Sequence, residues 1–449
     1  MISEQEFKKI SEKVFELSSA EETEITLGGG RENLTRFGEN RITQNVAEER
    51  YEMRIRVRQG QKIGVATSND FSDESLKHCL DEALSIAKVA GEDSTVLPFA
   101  QGGSRSEDAA WDAATADVSA QTRADWVAEA VDIARSKDME VGGIALDREG
   151  TIYDYGEIGP FGVANSGGLF RYGKYTSSAF EVSAQKGEGA GRSRKSSNRV
   201  ADVDAAAVAR DACERAEASL NPQDLDPGKY TVIFEAEAVT DLAFFMGYLG
   251  LNGLSVAEKR SPLADKLGEK VFGENITFRE DPTHPDLSGL TFDAEGVDTR
   301  QMDLIRDGVI KGFYHDRRSA AICGHEPTGH GLSQPNSWGA FSRFPILDGG
   351  KASLDEMIAG LDHGVLVTRL WYTNVVDPMR MIVTGMTRDG TFLIENGKIK
   401  GSVKNFRFNQ SLIDFFQNVE ELGQVQNLGA TLLPHLRVKD FNFSSSTDF

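Results

Sequence analysis

At 449 residues the chain is longer than one hydrophobic core ordinarily organises, which makes two domains the starting expectation. Its 39% apolar and 27% charged residues are those of a folded chain, and no run approaches the roughly 18 apolar residues of a membrane-spanning helix. The net charge of −21 opposes non-specific attachment to nucleic acid or anionic lipid, both of which require a basic face.

Met1 to Glu6 lack the basic and apolar regions of a secretory signal, so a cytoplasmic location is expected. Ser3 and Glu6 form a capping box, and Phe7, Ile10, Val14 and Leu17 give the first helix one apolar face. Short strands are predicted at 24–27, 34–37, 42–46, 51–59 and 62–67. In the fourth, Met53, Ile55 and Val57 alternate with charged residues, and Gly60 turns it into the fifth. Ser72 caps a helix with Asp73 and Glu74 in its first turn; Leu76, Leu80, Ala83, Leu84 and Ala87 face inward. The Gly-, Ser- and Asp-rich stretch 97–115 reads as a surface loop. A helix over 122–136 leads to strands around 144–146 and 151–155, a turn at 165–168 and a strand over 175–185. Gly187, Gly189 and Gly191, followed by Arg192, Arg194, Lys195 and Arg199, have the composition of a phosphate cradle. No helix opens after them, as such a cradle needs, so a mobile solvated loop is expected. An Ala-rich helix spans 203–220. Cys79, Cys213 and Cys323 form no metal-type spacing and fit a reducing compartment.

Two prolines and a glycine within 221–228 mark a boundary: an N-terminal α+β domain over 1–220, a linker over 221–228, and a C-terminal β-rich domain over 229–449. Tyr230 to Phe234 reads as a strand that passes through Glu235 and Glu237 into an apolar helix. There Val239, Leu242, Ala243, Met246, Gly247, Leu249 and Gly250 repeat at three and four, as a central buried helix requires. A zinc-peptidase helix carries two His and a Glu, to hold the metal and to activate water. Between Glu237 and Asn252 there is no His, and Asp241 is the only carboxylate. Further on, Asp307-Gly308, Asp389-Gly390 and Asn396-Gly397 each stand between β-rich runs and predict hairpins, hence a mainly antiparallel sheet. Residues 281–286 read as a turn, and the tail after Val438 is expected to fray. The fold class is α+β.

Several stretches, taken in order, resemble the TldD/TldE (PmbA) peptidase family, also labelled modulators of DNA gyrase. They are the hairpin and helix over 54–93, the lead-in Glu235-Ala236-Glu237-Ala238-Val239, Asp293-Ala294-Glu295-Gly296 and Gly308-Val309-Ile310. The spacing from Asp316 through Ser319-Ala320 to Thr328-Gly329, and the run over 392–399, complete the set. Together they cover most of residues 30–410. In the TldD branch the lead-in is followed at once by H-E-x-x-x-H. Laid on without gaps, those positions fall on Phe244, Phe245 and Leu249, none of which binds zinc or acts as a base, so the resemblance is to the TldE/PmbA branch. It implies a chain that is not catalytic by itself and holds no cofactor of its own. Such a chain pairs, as a homo- or heterodimer, with a TldD-like metallopeptidase subunit that carries the zinc. It shapes the cleft for a peptide substrate in proteolysis or peptide maturation, with no nucleic acid or membrane partner.

His325-Glu326-Pro327-Thr328-Gly329-His330 does repeat H-E-x-x-x-H as text, with His315 nearby, which makes Cys323, His325 and His330 the metal candidates of this chain. Pro327 and Gly329 inside the motif oppose the helix that would fix both imidazoles, so a structured loop lining the cleft is expected. Asp316, Arg317, His325 and His330 are expected in that lining, together with Glu235 and Glu237. The last two could form an acid–base pair, but their place at a strand-to-helix junction suits interaction with the helix dipole. No G-x-S-x-G elbow and no Cys–His pairing supports a serine or cysteine hydrolase. Two rival functions stay open: an active metallopeptidase with a non-standard metal site, and a homomeric peptide- or ligand-binding protein.

Overall fold

The computed structural model describes residues 1–151 and 159–447; most of the strand expected over 151–155 lies outside them. The first half is built on β1 (Glu22–Gly38), β2 (Arg41–Gln59), β3 (Lys62–Ser68), β4 (Ser104–Ala110), β5 (Glu140–Gly150), β6 (Pro160–Asn165), β7 (Phe170–Lys186) and β8 (Gly189–Ser197). Their order is β3-β2-β1-β5-β7-β4, with β6 pairing β1 and β7 and β8 pairing β7. Five helices accompany them: α1 (Glu4–Leu17), α2 (Asp73–Val89), the single turn α3 (Ala113–Ala116), α4 (Ala120–Ser136) and α5 (Ala205–Ala218). The capping box of Ser3 and Glu6 and the Ser72 cap both form.

The second half begins with β9 (Gly228–Phe234), α6 (Ala236–Met246) and α7 (Gly253–Ala257). It continues through β10 (Phe278–Glu280), β11 (Met302–Arg306), β12 (Val309–Ile310), α8 (Arg317–Cys323), β13 (Pro345–Leu347) and α9 (Leu354–Ala359). The remaining elements are β14 (His363–Val367), β15 (Leu370–Asp377), β16 (Ile382–Thr387), β17 (Thr391–Glu395), β18 (Lys398–Ser402), β19 (Phe406–Ser411), α10 (Leu412–Gln417), β20 (Val419–Asn427) and β21 (Leu432–Ser446). These strands form one large sheet, β12-β11-β10-β13-β21-β9-β14-β17-β18, with β15, β16, β19 and β20 joined to it through β21. Most pairings are antiparallel; β9 with β14 and β13 with β21 are parallel. The fold is α+β, with strand dominating the second half.

Five local expectations change. β1 and β2 are single strands of 17 and 19 residues, joined by a tight turn at Glu39 and Asn40 with φ of 51° and 57°. Residues 47–49 are exposed and carry no apolar alternation, so nothing in the sequence shows that the strands expected at 42–46 and 51–59 are one. The stretch 97–115 is not all loop: β4 adds an edge strand parallel to β7, and its polar residues reflect that edge position. The glycine run at 187–191 is not a free loop but the two-residue turn after β7 and the start of β8. A Cβ on Gly191 would stand 2.2 Å from the Ala212 carbonyl, so the glycine lets α5 lie directly on the sheet. The tail does not fray after Val438, because β21 continues between β9 and β19 with Phe441 and Phe443 buried among aromatic neighbours. Of the hairpin signals, Asp307-Gly308 joins β11 to β12 and Asn396-Gly397 joins β17 to β18. Asp389-Gly390 instead connects β16 and β17, which pair with other strands.

The largest core lies under the second sheet and contains the apolar face of α6. Leu290 and Phe292, from the second half, complete a core otherwise made by α1, α2 and the first sheet.

Candidate functional site

The strand-to-helix element sits at the centre of the second core. Val239, Leu242 and Met246 are fully buried, as their spacing requires, and Ala236 N–H donates to His435 Nδ1 at 3.1 Å. The helix then widens into a π-turn over Gly247–Leu251, and Asn252 caps α7 through the Leu254 and Ser255 amides. Wide turns of this kind recur at functional sites. The three positions singled out by the resemblance diverge. Leu249 is 7% exposed and belongs to the core, whereas Phe244 is 52% exposed. Phe244 lies nearly parallel to Tyr248 and Phe341, with centroids 6.2 and 6.0 Å away, and Tyr248 lies 5.8 Å from the exposed Trp338. The outer side of α6 is thus an aromatic surface without a donor for a metal ion, and zinc does not fit these residues.

Glu235 and Glu237 do not form an acid–base pair, and Glu235 makes no side-chain capping bond. Glu235 receives both terminal nitrogens of Arg215 at 3.1 and 2.9 Å, while Glu237 pairs with Arg192, which also grips Glu181 at 2.8 and 2.7 Å. Both arginines belong to the first half, so these carboxylates tie α6 to β8 and α5. Burial raises the Glu235 pKa, and Arg215 opposes that rise.

The loop carrying the textual H-E-x-x-x-H is not a helix: α8 ends at Cys323, and Gly324 takes a left-handed φ of 69°. Its two histidines go to different places. His325 Nδ1 lies 2.9 Å from Nε2 of buried His315, whose pKa is pushed down to about 4 by burial and then by His325. His330 is buried, with Nδ1 2.9 Å from Thr328 Oγ1 and Nε2 3.4 Å from Glu280. Glu280, also fully buried, accepts from Tyr314 at 3.0 Å, from Ser342, and from the Phe344 and Arg343 amides at 2.5 and 3.2 Å. Burial alone would raise its pKa; His330, Ser342 and the Phe344 amide hold it below the ordinary value. Cys323, His325 and His330 therefore do not converge, and Glu326 faces Arg300 at 3.7 Å. Among the described residues no group of three His, Cys, Asp or Glu is placed to hold a metal.

A second polar centre lies where β1 and β2 meet the loops of the second half. Asp293 accepts three backbone N–H groups, from Glu295 and Val297 at 2.9 Å and from Gly331 at 2.7 Å. Glu295 accepts the Arg317 amide at 2.9 Å. Burial, followed by the charge of Asp293, pushes the Glu295 pKa up to about 8. Asp316 caps α8 and receives the Gln334 amide at 3.0 Å. Arg56 pairs with Glu24 at 2.8 Å, both nearly buried. Of the expected cleft residues, Arg317 lines a small pocket here, and Asp316 holds the lining residue Gln334. Sequence reasoning did not name Glu280, placed Arg56 on the solvated face of its strand although it is buried, and quoted Glu295 only as part of a resemblance. A charged residue in a loop carries no local sign that tertiary structure will bury it.

The three parts of the chain match, in order, domain 1 of PmbA/TldA metallopeptidases over residues 23–87, their central domain over 114–220 and their C-terminal domain over 227–445. Two successive sheets with α6 seated on the second are therefore the scaffold of a metallopeptidase class. The chain belongs to the PmbA/TldD family. Metalloprotease PmbA of Escherichia coli O157:H7 is 29% identical over 242 residues, covering 51% of this chain and 50% of that protein, so this match spans about half of the relative's length. A metalloprotease PmbA homologue of Haemophilus influenzae is 25% identical over 410 residues, covering 86% and 84%. The crystal structure of TldE from Thermococcus kodakarensis superposes with a TM-score of 0.83 over 97% of this chain and 99% of that one, at 23% identity, and shares the fold. Among the described residues no helix is long and apolar enough to cross a membrane.

Proposed function

We propose that this chain is a TldE/PmbA-like subunit. It is non-catalytic by itself and completes the peptide cleft of a TldD-like metallopeptidase that supplies the zinc. The observation that carries this reading is the outer side of α6, where exposed Phe244 and Trp338 join part-buried Tyr248 and Phe341 in an aromatic surface that offers no His or carboxylate ligand. Half-exposed rings on a central helix favour coverage by another apolar surface. The ion pairs of Glu235 and Glu237 support the same reading, because they spend both nearby carboxylates on holding α6 in place. The residues upstream of 221 and downstream of 228 act in this reading as two rigid parts of one cleft wall.

The test is reconstitution. The purified chain alone should contain no stoichiometric zinc by elemental analysis and should not cleave unstructured peptides. Mixed with a TldD-like subunit, it should co-elute as a complex and raise that subunit's peptide hydrolysis at least tenfold. Chelator-sensitive hydrolysis by the isolated chain, abolished by His325→Ala or His330→Ala, would overturn the reading in favour of a metal site of its own.

A further inference from the structure

The polar centre between β2 and α8 opens onto a pocket of about 90 Å³, room for several ordered waters or one small polar group. Three arginines line it: Arg56, Arg317 and Arg318. The Nε of Arg56 and that of Arg318 are buried and have no protein partner, although the Arg56 side chain is only 10% exposed. A guanidinium nitrogen left without a partner inside a protein is costly, and a bound acceptor would relieve it. We propose that this pocket binds a single carboxylate group, that of a peptide C-terminus or of a small free carboxylic acid.

The shape of the ligand follows from what holds the arginines. Arg56 stacks over the Phe99 ring at 4.6 Å, and Arg317 donates to the Pro98 carbonyl at 2.6 Å, so both guanidinium planes are fixed before anything binds. Planar, preset N–H forks match the two oxygens of a carboxylate. Part of the wall is apolar, with Val96, Leu97 and Pro335 beside Phe99, and would accept the carbon chain attached to that carboxylate.

The charge of the ligand follows from the carboxylates present. Asp93, the ionised acid at the wall, is tied to Thr95 at 2.8 and 2.7 Å, and these bonds hold its pKa low. Glu295, the other acid of the lining, keeps its proton near neutral pH and can donate to an incoming oxygen. Arg56 is already paired with Glu24, so Arg317 and Arg318 face one ionised acid, Asp93, and the lining keeps one positive charge in excess, enough to attract a single anion. Glu24, Asp293 and Asp316 stand immediately behind it and would repel a second negative charge, so a carboxylate fits better than a phosphate dianion.

The pocket lies within this chain, so its test does not depend on any partner and can fail while the partner reading stands. Calorimetric titration of the full chain at pH 7 would compare N-acetyl-Ala-Ala-Leu bearing a free carboxylate, the same peptide as its C-terminal amide, sodium acetate and inorganic phosphate. The free acid should bind at least tenfold more tightly than the amide. Arg318→Gln, which alters a partly exposed arginine and spares the core, should weaken it at least fivefold with an unchanged circular dichroism spectrum. Arg56→Met should abolish binding, and Arg318→Gln keeps the test valid if that variant does not fold. Acetate binding as tightly as the peptide would assign the pocket to small free acids; tighter binding by the peptide would assign it to chain termini. Equal affinity for acid and amide, stronger binding of phosphate, or no binding of any probe would overturn the proposal.

Discussion

Glu295→Gln should stabilise the protein, increasingly so as the pH rises from 5 to 8. Glu295 is 3% exposed and lies beside Asp293, and together burial and that neighbour raise its pKa from an ordinary 4.5 to about 8. Between those values the folded chain keeps a proton that the unfolded chain has released. Stability is therefore fully present below about pH 4.5 and is lost as the pH climbs to 8. At about 1.36 kcal/mol for each pH unit in that window, the loss is on the order of 4 kcal/mol. Glutamine has the same shape, can still accept from the Arg317 amide, and carries no titrating proton. Urea denaturation followed by tryptophan fluorescence at pH 5, 6, 7 and 8 would measure the effect for both proteins. The two should differ little at pH 5, and the variant should lead by several kcal/mol at pH 8. A difference that stays constant across the four pH values would refute the reasoning, because the carboxyl would then ionise alike in the folded and unfolded chains.

Other substitutions probe the same architecture. Gly331→Ala would place a Cβ 2.6 Å from Glu295 Oε2 and 3.0 Å from Asp293 Oδ2, and a loss of about 2 kcal/mol is expected in the same denaturation assay. Arg215→Met removes the partner of Glu235, whose side chain is 12% exposed, and should cost about 3 kcal/mol at pH 7. The loss should shrink toward pH 4 as the orphaned carboxylate is protonated. Phe441→Ala empties a site ringed by Phe234, Phe408, Phe415 and Phe443 and should cost about 4 kcal/mol; a value under 1 would mean that the end of β21 is frayed after all.

What the sequence revealed depended on how local the cause was. Capping at Ser3 and Ser72, the apolar stripe of α6 and the turns at Asp307-Gly308 and Asn396-Gly397 are all set by neighbours within a few residues, and all were legible. The Gly187–Gly191 run misled because glycine has two uses, backbone freedom and absence of a side chain, and only the packed α5 shows that the second applies at Gly191. The end of β21 misled because its serines dilute Phe441 and Phe443, whose burial depends on strands far away in sequence. Of the pocket's lining, the sequence singled out Arg317 as a cleft residue. The rest gathers Arg56 from β2, Glu295 from a loop and Arg318 from α8; Arg56 stands more than 200 positions from the other two, and no spacing rule links them.

α6 departs from an ordinary core helix in a way that bears on its use. On an ideal helix, positions 244 and 249 are separated by five steps of about 100°, which leaves their side chains roughly 140° apart. An H-E-x-x-x-H sequence can bring both histidines to one ion only if the turn between them widens, and this chain does widen there, at Gly247–Leu251. Leu249 points into the core and Phe244 into solvent, so these two side chains do not converge across the wide turn. The turn serves packing: a Cβ on Gly250 would meet Leu263 at 2.8 Å and Met381 at 3.0 Å, and Asn252 is delivered to cap α7 while its amide reaches the Trp338 carbonyl at 2.6 Å. That bond seats the loop bearing Trp338 and Phe341 against α6. The turn and the aromatic surface are thus one construction, and removing the metal ligands from such a helix need not dismantle the scaffold around them. In the function proposed above, these aromatic rings on the outer side of the scaffold would contact what the partner subunit cleaves.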